Sequence, residues 1–307
     1  MNGFKPWIAE VAEKSSGSLK INYFTPNTLC PDKDSYDAAV SGVADLGATL
    51  SGYAAGKFPI TEVCEMPFIY PGSEAASLGF WKMYQKYPEI QNEYKDAKMM
   101  FMWSTATMQI HTAKKMVRTL EDIKGLRIIS LTALSSDILR SLGANPIEIP
   151  TTDAYLALQR NMADGILLPL APARSFKITD VCKYHTICDV TSAPIYGVMN
   201  TNKFNSLTPE QQKVLNETTG EKLSRRLGQT LDEGSVADCK WMKTQGHEFY
   251  VLPGEEKARW VEACTPMYEN WIKKMESKGV TNAREVFNEA ERLGKELASQ
   301  TGRGYQE

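Results

Sequence analysis

The sequence predicts an α/β fold divided between two domains. Short strand-like runs and amphipathic helical stretches alternate from the start of the chain. With 307 residues, 42% hydrophobic and 23% charged, there is enough material for more than one packed core. A helical pattern from Pro209 to Gln245 would extend roughly 55 Å if unbroken. That exceeds one small domain, so this helix is expected to bridge two.

In "PWIAEVAEKSSG", Trp7, Ile8, Val11 and Ala12 make one apolar stripe, and Gly17 supplies a stop. "LKINYF" alternates like a strand, "DSYDAAVSG" reads as helix and "VADLGATL" as strand. One helix is expected over "EAASLGFWKMYQKYPEIQNEYKDA", then the strand "KMMFMW". Thr119 and Asp122 form a capping pair before Gly125 and the strand "LRIIS". "LSSDILRSLG" is a helix closed by Gly143, "NPIEIP" a strand, and "TTDAYLALQRNM" a helix capped by Thr151 or Thr152. "ADGILL" follows as strand, "PARSFKITDVCKY" as helix, and "HTICDV" and "PIYGVMN" as strands. The long helix opens with Thr208, Pro209 and Gln211 as a capping box and stops at Gly246. "HEFYVLP" is the last strand, and two charged helices finish the chain.

A net charge of −2 and a pI near 6.1 leave no basic footprint for nucleic acid or anionic membrane. No apolar run approaches the ~18 residues of a membrane helix. The start "MNGFKPWIAEVAEK" lacks the basic and apolar regions of a signal peptide. The six cysteines show neither C-x-x-C nor zinc spacing. Free buried thiols are expected, with a Cys182–Cys188 bridge as the alternative.

Catalytic chemistry has no frame. His111, His185 and His247 lie in unrelated segments, without G-x-S-x-G or H-E-x-x-H. No glycine loop for phosphate follows a strand, so no nucleotide cofactor is implied. Asp164 before Gly165 and Asp45 before "LG" read as turn formers rather than metal ligands.

"LEDIKGLRI", "LGANPIEIPTTDAYLALQRNMADGILLPL" and "VMNTNKFNSLTPEQQKVL", in this order, resemble the solute receptors of TRAP transporters, the dicarboxylate-receptor type. The similarity runs from about Trp7 to beyond Trp260. The resemblance implies a two-domain periplasmic-binding-protein-like clamp with a hinge, a long domain-spanning helix and a ligand closed between the domains. The implied domains are 1–105 with 194–233, and 106–193 with 234–307. It implies a periplasmic receptor that hands a small organic solute to TRAP permease subunits without catalysis or cofactor. Such receptors begin with a further strand and loop; a shortened or misassigned start at Met1 would explain the difference, whereas a natural start there would cost the sheet a strand and leave its neighbour to be covered by another chain or prone to aggregate.

Departures from the family pattern concern the ligand. The arginine usual at the end of "G-L-K-x-R" is Ile129, a second arginine position holds Gln109, and "D-G-x-E-x-P" becomes "D-G-I-L-L-P" with Leu167 and Leu168. A carboxylate buried opposite isoleucine and leucine would be left unpaired, costing several kcal/mol. The pattern therefore favours an aromatic, neutral or otherwise atypical ligand, with Gln109, Asn200 and Tyr196 giving oriented hydrogen bonds. Trp103 or Tyr196 could receive a cation over its ring. Arg127 keeps an organic acid as the alternative, since residues two apart on a strand share a face about 6.6 Å apart. A sensory ligand-binding module is the second functional alternative, and an enzyme the third.

Overall fold

In the computed structural model, residues 3–302 and 305 are described. Helix α1 (Phe4–Lys14) buries Trp7 and Val11, and Gly17 turns the chain at φ +79°. The expected strand at 19–24 does not form, and Tyr23 and Phe24 stay exposed. Alternation makes a strand only where a partner edge accepts its backbone groups. Helix α2 (Ser35–Ser41) leads into strand β1 (Leu46–Leu50).

The single helix expected next is two, α3 (Ser73–Lys86) and α4 (Pro88–Glu93). Pro88 lacks an N–H and holds Tyr87 extended, which ends α3. Strands β2 (Lys98–Ser104) and β3 (Gln109–Thr112) follow. Helix α5 (Leu120–Ile123) carries the Thr119–Asp122 capping box, then comes β4 (Arg127–Ser130). Helix α6 (Ala133–Ser141) is capped by Thr132, and β5 (Asn145–Glu148) pairs beside β4. Helix α7 (Thr151–Gln159) begins one residue early for a threonine cap, because Pro150 holds the cap position.

After β6 (Gly165–Leu168) the expected helix is broken into α8 (Leu170–Ser175) and α9 (Ile178–Val181) at Lys177, whose φ is +59°. Strands β7 (Tyr184–Ile187) and β8 (Pro194–Met199) precede α10 (Thr201–Asn205). The long helix is split into α11 (Pro209–Thr218) and α12 (Gly220–Thr244) by Gly220 at φ +64°. The 25 residues of α12 extend about 38 Å. Strand β9 (Glu248–Val251) and helices α13 (Gly254–Ser277) and α14 (Ala283–Ala298) complete the described chain.

Two sheets result. β1, β8 and β2 form an antiparallel sheet in that order, and β5, β4, β6, β3, β7 and β9 form a mixed one. Helix α12 spans both: Leu223 and Leu227 pack with Trp7 and Phe101, while Cys239 and Met242 pack with Ile129 and Ile166. Its middle is locked to the start of α3, where Asp232 accepts from Ser73 N at 2.8 Å and Glu74 N at 2.9 Å. A carboxylate suits a helix N-terminus, although burial raises Asp232 to about 6. Helix α13 also crosses, with Trp260 and Cys264 on the large-sheet core and Trp271, Ile272 and Met275 on the core that α14 covers.

The chain passes between the sheets at 105–108 and 188–193, and these segments pair. Thr105 N donates to Ala193 O, Met108 N to Thr191 O, and Val190 N to Met108 O. All six cysteines are free thiols; Cys182 and Cys188 lie in different core clusters, so their bridge is absent.

Candidate ligand-binding site

In an open α/β sheet, ligands lie beyond the carboxyl ends of the strands. Here the ends of β1 and β4 and the two crossing segments converge. Pairing of Gln109 with Leu168 across β3 and β6, and of Ile129 with Ile166 across β4 and β6, sets Gln109, Leu168 and Ile129 on one face of the large sheet. Ile129 and Leu168 are buried there with Ala154, Ala157 and Leu158 of α7. Leu167 faces the other way, with Ile110 and Ile128.

Gln109 is fully engaged. Its Oε1 accepts from Cys188 N and Asp189 N, both at 2.9 Å, and its Nε2 donates to Asp189 Oδ1 at 2.7 Å and Thr107 Oγ1 at 3.0 Å. An amide with every group so used positions the crossing segment.

Arg127 stands at the opposite end of β4. It grips the Asp164 carboxylate through Nε at 3.1 Å and Nη2 at 2.9 Å, and donates to Asn161 O at 2.9 Å. That fork holds Asp164 below the usual carboxylate range.

The small sheet separates the remaining residues. Tyr196 is buried among Tyr36, Phe58 and Tyr94, whereas Trp103 packs against Phe4 and Phe101 on the other face. Asn200 lies at the end of β8 remote from the crossing. There its Oδ1 caps α10 at Lys203 N, 2.8 Å away, and its amide nitrogen donates to Ala39 O and Val40 O. Thus Gln109, Ile129 and Leu168 come together, while Trp103, Tyr196, Asn200 and Leu167 do not join them.

Two constellations escaped the sequence pattern. Glu65, in "VCEMP", is 2% exposed and burial raises it to about 8. Its only signal was a lone acid inside an apolar run.

The other joins all three histidines. Lys183 Nζ donates to His247 Nε2 at 3.2 Å, His247 Nδ1 to His185 Nε2 at 2.7 Å, His185 Nδ1 to His111 Nδ1 at 2.6 Å, and His111 Nε2 to Leu168 O at 2.8 Å. An ammonium can only donate and a carbonyl only accept, so every ring is neutral with one defined tautomer. Burial, the largest cause, pushes all three below the ordinary histidine range. The chain runs from a lysine ammonium to a backbone carbonyl and so ties β7, β3 and β6 to the start of β9.

The model of the bacterial extracellular solute-binding proteins, family 7, matches residues 1–274. The C4-dicarboxylate-binding periplasmic protein DctP of Rhodobacter capsulatus is 24% identical over 271 residues, which is 87% of this chain and 80% of that one. A TRAP solute-binding protein from Rhodoferax ferrireducens T118, solved with copurified benzoate, superposes with a TM-score of 0.91 at 26% identity, covering 98% of this chain and 95% of that one. A marine-metagenome TRAP solute-binding protein specific for aromatic acid ligands, solved with metahydroxyphenylacetate, gives 0.89 at 26% identity over 95% and 92% of the two chains.

Proposed function

Because this chain belongs to the bacterial extracellular solute-binding proteins of family 7, the TRAP solute receptors, we propose that it closes two lobes on an organic solute lacking a dominant carboxylate and delivers that solute to a TRAP permease. The observation that carries this reading is the edge of the large sheet where β4 and β6 end and β3 begins: Ile129 and Leu168, packed under α7, and Gln109 put no cation there. A carboxylate brought there would lose its hydration without gaining a charge partner. Arg127 is a poor substitute, because Asp164 and Asn161 occupy its guanidinium at the other end of β4. The organic-acid alternative held by Arg127 would require that pair to open.

The two sheets support lobes at 1–105 with 194–233 and at 106–193 with most of 234–307, joined through 105–108, 188–193 and α12. The end of α13 and all of α14 pack on the first lobe's core and are assigned to it. A periplasmic location follows from the family, and among the described residues no helix is long and apolar enough to cross a membrane. Solved relatives bound to benzoate and metahydroxyphenylacetate support a cleft able to hold an aromatic frame. Asn200, Tyr196 and Trp103 then act as scaffold, not as ligand contacts.

The test is a thermal-shift titration of the full chain with small solutes, followed by chromatographic recovery of the compound. A receptor gives saturable stabilisation, about 2.7 kcal/mol at 100 times the dissociation constant, and returns the compound unchanged. Conversion of the compound would replace this reading with an enzyme.

A further inference from the structure

A buried carboxyl group without a cation lies between the two sheets. Glu65 ends the short turn Thr61–Glu65, and its backbone carbonyl accepts from Thr191 Oγ1 of the crossing segment at 2.5 Å. Its Oε1 accepts from Thr132 Oγ1, the N-cap of α6 beyond the end of β4, at 3.4 Å. Gly52, just beyond the end of β1, faces both side chains. A Cβ there would stand 3.2 Å from Thr132 Cγ2 and 3.8 Å from Glu65 Oε2. Glu65 is therefore set where the turn after β1, the start of α6 and the crossing segment meet, which is where an α/β clamp holds its ligand.

Among the described residues no lysine, arginine or histidine makes a salt bridge with Glu65; the neighbouring carboxylate that acts on it, Glu62, is itself paired with Lys274 at 3.1 Å. One long contact to a hydroxyl leaves most of the carboxyl's acceptor capacity unused.

We propose that the Glu65 carboxyl group recognises the ligand, and that the solute carries an ammonium group on an apolar or aromatic frame. This deepens the receptor reading and rests on it. An acidic solute would meet a second carboxyl group and no cation at Ile129, and so would gain no charge partner there. An ammonium would give the carboxylate its missing partner, and its three N–H donors suit Glu65 and the Thr132 hydroxyl together. Leu50, Leu134 and Phe68, which pack across onto the large-sheet core, supply apolar wall around that point.

Three probes of nearly equal frame separate the classes: 2-phenylethylamine, phenylacetamide and phenylacetate, titrated calorimetrically into the full chain and into Glu65→Gln. The amine is expected to bind the unaltered chain at least tenfold tighter than the amide or the acid. Glu65→Gln, which keeps the shape, should abolish that preference while its circular dichroism and melting remain those of a folded chain. Should the variant fail to fold, the preference of the unaltered chain decides alone. Preferred binding of the acid or the amide, or amine binding unaffected by Glu65→Gln, overturns the proposal and leaves the receptor reading intact. Absence of binding by all three also overturns it, and the receptor reading falls only if the wider solute titration fails as well.

Discussion

Replacing His185 by phenylalanine removes the middle of the hydrogen-bonded chain from Lys183 to Leu168 while keeping a ring in its place. His111 Nδ1 would lose its donor and His247 Nδ1–H its acceptor. Each buried polar atom left unpaired costs about 1–3 kcal/mol, so the variant should be less stable by about 2–6 kcal/mol at pH 7.5. The pH dependence is the sharper part. Burial, with the neighbouring rings, depresses His185 in the folded chain, whereas an unfolded histidine titrates near 6.5. Its stabilising contribution is therefore fully present above that unfolded value and is lost as pH falls below it. A histidine still neutral at pH 5 gives up about 2 kcal/mol between pH 7.5 and pH 5. The variant lacks that loss, so its deficit should shrink by about 2 kcal/mol over the interval. Glu65 and Asp232, raised to about 8 and about 6, act in the opposite sense, but both proteins contain them and the difference cancels them. Urea unfolding followed by circular dichroism at the two pH values measures the gap. A gap unchanged between pH 7.5 and pH 5 would show that His185 is not held neutral, and the tautomer assignment would fail.

Gln109→Ala strips the acceptor from Cys188 N and Asp189 N, and should lower stability by about 1–3 kcal/mol in urea unfolding. Arg127→Ala loses a pair whose side chains are 42% and 24% exposed, so about 1 kcal/mol or less is expected, with solute preference unchanged in thermal shift. Loss of carboxylate binding in that variant would instead revive the organic-acid alternative. Asp232→Ala leaves the first N–H groups of α3 without their acceptor and should cost about 1–2 kcal/mol, read as a lower urea midpoint.

The order of helices and strands was legible because apolar periodicity is local, and the caps at Thr119 and Thr208 were legible for the same reason. Strand β3 was not: its four residues are all buried, so it lacks the alternation that marks a half-exposed strand. The break between α11 and α12 depends on one left-handed glycine inside an otherwise continuous helical pattern, which composition does not reveal. The row Gln109, Ile129 and Leu168 could be anticipated only through the family resemblance, because three separate segments supply it. Tyr196 and Trp103 show why residue type is weak evidence for a ligand wall, since burial in a core uses the same aromatic surface. The histidine chain depends on the register that places His111 opposite His185, and His247 just before β9, which pairs with β7. No local pattern encodes that register.

The class of solute bound turns on the cation missing at Ile129. The most direct test is a thermal-shift comparison of benzoate and other carboxylates with uncharged and cationic solutes, on the unaltered chain and on Ile129→Arg. Carboxylates should leave the unaltered chain's melting temperature where it is, at least one uncharged or cationic class should raise it saturably, and carboxylates should stabilise Ile129→Arg. Saturable stabilisation of the unaltered chain by carboxylates alone, with no gain in Ile129→Arg, would contradict this reading.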